Sequence, residues 1–142
     1  MLTAARIALS HQRSLDNVDA RRRGQLGGKH GLRTRDALSW VTVEGARMLG
    51  QKDRIGTIAI GKQADLVLIR ADALNLQPVH DPISSVVMQS NPSNIDSVMI
   101  AGRWRKRAGR LLWGDLGSLI EDLAESGRRI SRDVGLQPAD LN

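Results

Sequence analysis

Hydrophobic positions along the chain follow two rhythms, one of three to four residues and one of two. Leu2, Ala5, Ala8 and Leu9 recur at helical spacing, with Arg6 and Arg13 off that face, which predicts an amphipathic helix over residues 1–15. No capping residue precedes it. Residues 16–33 lose the period and hold Asp16, Asn17, an arginine run and the glycine-rich "GQLGGKHG", a composition that reads as a loop. A second helix is expected from Thr34, with Thr34 as its N-cap and Asp36 in its first turn. Leu38, Val41, Gly45 and Met48 carry its period, and Gly50 stops it.

The rhythm changes at Gly56. Gly56 and Gly61 flank a short β-type run, and the continuous apolar stretch Leu66 to Ile69 reads as a strand buried on both faces. Asp81 can cap a short helix with Pro82 at its first position, ended by Ser90-Asn91-Pro92, with Ile83, Val86 and Val87 toward the core. "NIDSVMIAGRWRKRAGRLL" breaks at Ala101-Gly102 and again at Ala108-Gly109, which predicts two linked hairpins. Leu116, Leu119, Ile120, Leu123 and Ile130 trace a last amphipathic helix.

Composition narrows the chemistry. The 142 residues are enough for one ordinary domain or two very small ones. There is no cysteine, so disulfides and thiolate metal sites are excluded. Phe and Tyr are absent, and only Trp40, Trp104 and Trp113 supply rings. No run approaches the roughly 18 apolar residues of a membrane span, and no secretory leader follows Met1, so a cytoplasmic setting and no membrane partner are expected. The net charge of +6 raises nucleic acid as a partner, through Arg21, Arg22, Arg23 and Lys29 on one side and Arg103, Arg105, Lys106 and Arg107 on the other. Solvated faces account for such runs as well, because few stacking rings accompany them.

The obvious motifs fail on spacing. A phosphate-binding loop needs four residues between its glycines and a hydroxyl after its lysine, whereas only three separate Gly24 from Gly28 and His30 follows Lys29. His11, His30 and His80 are far apart in sequence, without the His-x-His or His-x-x-x-His spacing that gathers zinc ligands. Ser10 and His11 point to different sides of a helix, there is no Gly-x-Ser-x-Gly elbow, and Asp81 beside His80 is explained as a cap. No catalytic or metal-binding residue is identified.

One longer pattern does carry information. "TRDALSWVTVEGARMLG" is followed in order by Gly56, Ile58, Gly61, Lys62, Ala64, Asp65, Leu66 and Val67, then by "VHDPISSVV" and by "VMIAGRW". This series resembles the C-terminal part of the amidohydrolase superfamily, in its cytosine deaminase, atrazine chlorohydrolase and 8-oxoguanine deaminase branch. The resemblance implies an α+β chain: a C-terminal fragment of a metal-dependent amidohydrolase that holds the last helices of a TIM-type barrel and part of a small β-sandwich. Residues 1–50 would be terminal barrel helices with a basic connector, 51–114 a partial composite β domain, and 115–142 a C-terminal helix and tail. Gly45, Gly56, Gly61, Ala64, Asp65, Asp81, Pro82 and Gly102 would be its structural motif positions.

In that family zinc or iron at the barrel activates water to attack a carbon bonded to nitrogen or another leaving group. The family's ligand positions lie upstream of the matched region, so the resemblance implies no cofactor held by this chain alone. The expected role is scaffold for a deaminase-like hydrolase of cyclic amidines. Its partners would be the missing N-terminal barrel or other copies, reached through apolar surface on residues 1–15 and 64–69. A basic nucleic-acid-binding or assembly module is the alternative.

Overall fold

The computed structural model describes residues 1–26, 28 and 31–135, which fall into two compact units, Met1–Leu111 and Leu112–Asn142. In the first unit, helix α1 spans Leu2–Arg22, longer than the periodicity predicts. The helix runs on through its polar second half because local partners support it. Gln12 donates to Asp16 one turn on at 2.9 Å, and the methyl of Ala20 is buried. Gly24, at φ +68°, ends it: its N–H and that of Gln25 close on the carbonyls of Arg21 and Ala20. The first glycine of the glycine-rich stretch is thus a helix stop.

The helix expected from Thr34 to Gly50 is two helices, α2 (Thr34–Trp40) and α3 (Val43–Met48). At the break, Thr42 folds its hydroxyl back onto the Leu38 carbonyl at 2.8 Å, and Gly45 admits the Trp40 carbonyl where a Cβ would sit 3.2 Å from it. The cap of α2 is Arg33, in extended conformation, whose N–H donates to Asp36 at 2.7 Å. Thr34 lies inside the helix, with its hydroxyl 2.9 Å from that of Ser84.

Helix α4 (Pro82–Ser84) starts at Asp81 and widens into a π turn over Ser85–Gln89. The core lies where α1, α2 and this turn meet: Ala5, Leu9, Ala37 and Val87 are buried, with Leu32, Leu38, Trp40, Val41, Ile83 and Met88 packed on them. Fully burying Leu9 and Val87 contributes about 1.5–3 kcal/mol each. Arg6 ties the layers together from α1, donating to the carbonyls of Val87 at 2.8 Å and of Ser90.

Strands β1 (Leu66–Ile69), β2 (Ile95–Ile100), β3 (Arg103–Arg107) and β4 (Arg110–Leu111) form one antiparallel sheet in chain order. The two linked hairpins are present. Strand β1 lies at the sheet edge and leaves Val67 and Leu68 exposed, which corrects the expectation of burial on both faces. Residues 57–60 form no strand, and Ile58 and Ile60 are fully solvent-facing. An apolar run fixes that a segment seeks cover, and here the first unit supplies none for these side chains.

In the second unit, helix α5 (Leu116–Asp133) is capped by Asp115, which accepts from the Ser118 N–H at 3.0 Å. Among the described residues no helix is long and apolar enough to cross a membrane.

Candidate functional site

Three of the motif positions, Ala64, Asp65 and Gly102, meet at one junction. Asp65 Oδ1 accepts the N–H of Ala101 at 2.7 Å, and the Ala64 carbonyl accepts that of Gly102 at 3.0 Å. Ala64-Asp65 therefore clamps the turn joining β2 to β3. That turn has φ +52° at Ala101 and +74° at Gly102, the left-handed pair that matches strand twist. The next turn repeats the device, with Ala108 at φ +48° donating to Ser97 Oγ at 3.2 Å. Each alanine held in the left-handed region has its N–H taken by a side chain.

Lys62 and Gly56 serve the segment just upstream. The Lys62 ammonium donates to the carbonyls of Lys52 at 2.6 Å and Ile55 at 3.3 Å, closing the 52–62 loop on itself. Gly56, at φ +93°, lies against α3: a Cβ there would stand 2.8 Å from the Ala46 Cβ and 3.1 Å from the Thr42 carbonyl. Gly61 also has positive φ, +86°, but open space around it. Of the motif positions, Ala64, Asp65 and Gly102 share one junction, Gly56 packs on the helix that holds Gly45, and Asp81-Pro82 opens α4.

Asp81 is fully used as a cap. Its carboxylate accepts from the N–H of Ile83 at 3.1 Å, the N–H of Ser84 at 3.3 Å and the Ser84 hydroxyl at 2.5 Å. These bonds, the hydroxyl foremost, hold its carboxyl below the usual carboxylate range, with the Arg35 charge helping. On the surface the Arg70–Asp72 pair, 2.8 Å apart, likewise depresses Asp72 and raises Arg70.

Among the described residues no three His, Cys, Asp or Glu side chains converge as a metal site, and His11 and His80 are exposed on separate elements. His30 and Lys29 lie outside the described residues. The described residues therefore bring together no donor set of the kind that zinc or iron needs. An open cavity of about 720 Å³ lies beside the glycine-rich stretch, lined among others by Asp16, Asp19 and Arg23. Two carboxylates in that lining oppose a phosphate.

The basic clusters sit on different elements. Arg21 and Arg22 close α1, where cations suit the helix C-terminus, and Arg23 follows. Arg103, Arg105 and Arg107 alternate along β3 as its exposed residues, while Lys106 is half-buried. Arg107 lies over the Trp104 ring, 5.5 Å from its centre.

Three positioning residues have no motif to announce them. Arg6 has been described. Asn75 and the buried Asn94 exchange side-chain hydrogen bonds of 2.9 and 3.0 Å, and the Asn94 carbonyl accepts the Arg70 N–H at 2.8 Å, which fixes the entry to β2 beside the end of β1. A lone buried asparagine in a Ser-Asn run carries no periodic signal.

Comparison with known proteins agrees with this scaffold. The model of the amidohydrolase family matches residues 1–105. Among curated relatives, the 5-methylthioadenosine/S-adenosylhomocysteine deaminase of Desulforudis audaxviator is 34% identical over 97 residues, 68% of this chain and 23% of that protein. The 8-oxoguanine deaminase of Pseudomonas aeruginosa is 43% identical over 84 residues, 59% of this chain and 18% of that protein. Among solved structures, an adenosine deaminase from Xanthomonas campestris with bound zinc aligns at TM-score 0.68 and 30% identity, over 87% of this chain and 27% of that one. The atrazine chlorohydrolase of Arthrobacter aurescens, in complex with zinc, shares the fold at TM-score 0.73 and 23% identity, over 88% of this chain and 26% of that one. The chain thus spans about a fifth of the length of these curated relatives. With the family model matched across most of its length, and an α+β fold that covers part of the full architecture, the chain belongs to the amidohydrolase family.

Proposed function

We propose that this chain is the C-terminal scaffold of a deaminase-like hydrolase of C–N bonds, in which the metal and the reacting groups come from barrel segments other than these residues. Residues 1–50 would close the barrel, 51–114 contribute to a composite β domain, and 115–142 form the terminal helix and tail. The observation that carries this reading is how the motif side chains are spent. Asp65 accepts from a turn N–H, Lys62 donates to two carbonyls and Asp81 accepts from a helix start, so each is engaged in holding backbone.

The names of the curated relatives support a nucleobase-like substrate whose exocyclic group is displaced by water, with a triazine as the variant. Zinc or iron would activate that water when bound by the barrel, in a cytoplasmic setting. The side chains of Ile7, Val67 and Leu68 are exposed, which supports a partner surface on α1 and β1 for the remainder of the barrel or for another copy.

Complementation tests this reading. A Pseudomonas aeruginosa 8-oxoguanine deaminase lacking the segment that matches this chain should regain zinc-dependent turnover when this chain is supplied. Failure of both binding and turnover, in a pair of soluble partners, counts against it.

A second reading rests on the exposed row Arg103, Arg105 and Arg107, which could follow a phosphate backbone. Retention on heparin that weakens with salt, and is lost when all three are changed to Ala, supports this nucleic-acid reading. No retention removes it.

A further inference from the structure

The tip of the β3–β4 hairpin sets like charges against each other. Arg107 and Arg110 lie directly opposite across the two-residue turn Ala108-Gly109, and both are exposed. Side chains opposed in this way stand about 4.5–5.5 Å apart at Cβ, and like charges there destabilise the pair. Among the described residues no carboxylate makes an ion pair with either arginine, or with Arg103, Arg105 or Lys106 on the same hairpin.

The surroundings of the pair are fixed in advance. The register between β2 and β3 slips at Arg105, with Met99 opposite Trp104 and Val98 opposite Lys106. Past this bulge Arg107 comes over the Trp104 ring, 5.5 Å from its centre. The turn itself is tied to β2, since Ala108 donates to Ser97 Oγ at 3.2 Å and Gly109 to the Asp96 carbonyl at 2.8 Å. A stacked guanidinium and an anchored turn have little freedom left to lose on binding.

We propose that Arg107 and Arg110 form a clamp for a phosphate group. A phosphate offers several oxygens to two planar forks, each able to donate two parallel hydrogen bonds, and its negative charge offsets the repulsion between them. A neutral ligand would leave that repulsion in place, and a carboxylate has only two oxygens to share between two forks. All of these groups belong to the unit Met1–Leu111. The clamp goes beyond the scaffold reading and does not depend on it. Its phosphate comes either free from solution or from a nucleic-acid backbone, and the test separates the two.

The melting temperature and the Trp104 indole N–H resonance of the full chain are followed as sodium phosphate replaces sodium chloride at constant ionic strength. The wild-type chain should melt a few degrees higher in phosphate, and the Trp104 signal should shift saturably. R110E exchanges the repulsion for an attraction to Arg107, so it should melt above the wild-type chain in chloride and lose the response to phosphate. R107A and R110A should each weaken the response at least fivefold. A gain in phosphate that is equal in wild type and R110E is a general salt effect and overturns the proposal. A wild-type chain without response, a Trp104 signal that does not move, or R110E melting below the wild-type chain in chloride also overturns it.

A single-stranded oligothymidylate distinguishes the sources. If it saturates the Trp104 shift at a lower concentration of phosphate groups than free phosphate requires, and fails to do so in R110E, the ligand is a nucleic-acid backbone. A response to free phosphate alone keeps the clamp and removes the nucleic-acid reading. Oligonucleotide binding that survives both R107A and R110E belongs to Arg103 and Arg105 and overturns the clamp.

Discussion

Asp65 holds the N–H of Ala101 at 2.7 Å across 36 positions of sequence, joining the start of the first strand to the turn between the second and third. The carboxylate arrives there because Ala64 and Leu66 on either side are fixed, one by its carbonyl bond to Gly102 and the other by its pairing with Met99. The contact satisfies a donor in a turn whose alanine occupies a region that disfavours side chains.

Removing the acid should therefore cost stability. D65A is expected to lower unfolding free energy by about 1 kcal/mol and to speed amide exchange at Ala101, whereas D65N keeps an acceptor and recovers part of the loss. A101G should offset the damage in the double variant, since glycine accepts the left-handed conformation that costs alanine about 1–2 kcal/mol. Urea titration followed by circular dichroism reads all three.

Two glycines with similar backbone angles should respond differently. G56A forces a methyl to within 2.8 Å of the Ala46 Cβ, so the strained backbone and the overlap together should cost about 2–4 kcal/mol. G61A meets no neighbour and should cost only the backbone strain, about 1–2 kcal/mol. Thermal melts of the pair distinguish close approach from conformation alone.

Arg6 should matter more than its place on a polar helix position suggests. R6A leaves the carbonyls of Val87 and Ser90 without a donor and is expected to destabilise by about 1–3 kcal/mol. R6K keeps the charge but cannot reach both carbonyls with a planar fork, so its urea midpoint should fall between the two.

Acid should loosen the start of α4. The Asp81 carboxyl is depressed in the folded chain, first by the Ser84 hydroxyl and then by the two backbone N–H groups and Arg35. Its stabilisation is therefore complete above the unfolded carboxylate value of about 4 and is lost as pH falls through the lower folded value. Amide protection at Ile83 and Ser84 should drop over that window in the wild-type chain, and the drop should vanish in D81A.

Much of this was legible in the sequence where a signal is local. Ala-Gly breaks located both hairpin turns, Asp81-Pro82 located the start of α4, and Gly50 the stop after α3. What escaped depends on neighbours distant in the chain. The polar second half of α1 stays helical through Gln12, Asp16 and a buried Ala20, which no apolar period reveals. The break before α3 follows from one threonine folding onto a carbonyl. The run Leu66 to Ile69 promised burial that this sheet, with β1 at its edge, does not provide. Of the candidate site, the ordered motif was readable, while the clamp that explains its aspartate needed the turn at Ala101 in place.

Metal content and turnover of the purified chain bear most directly on the scaffold reading. Incubated with excess zinc or iron, desalted and analysed by mass spectrometry, the chain alone should retain well under one equivalent and release no ammonia from 5-methylthioadenosine, 8-oxoguanine or an aminotriazine. One tightly bound ion per chain together with turnover would contradict the account.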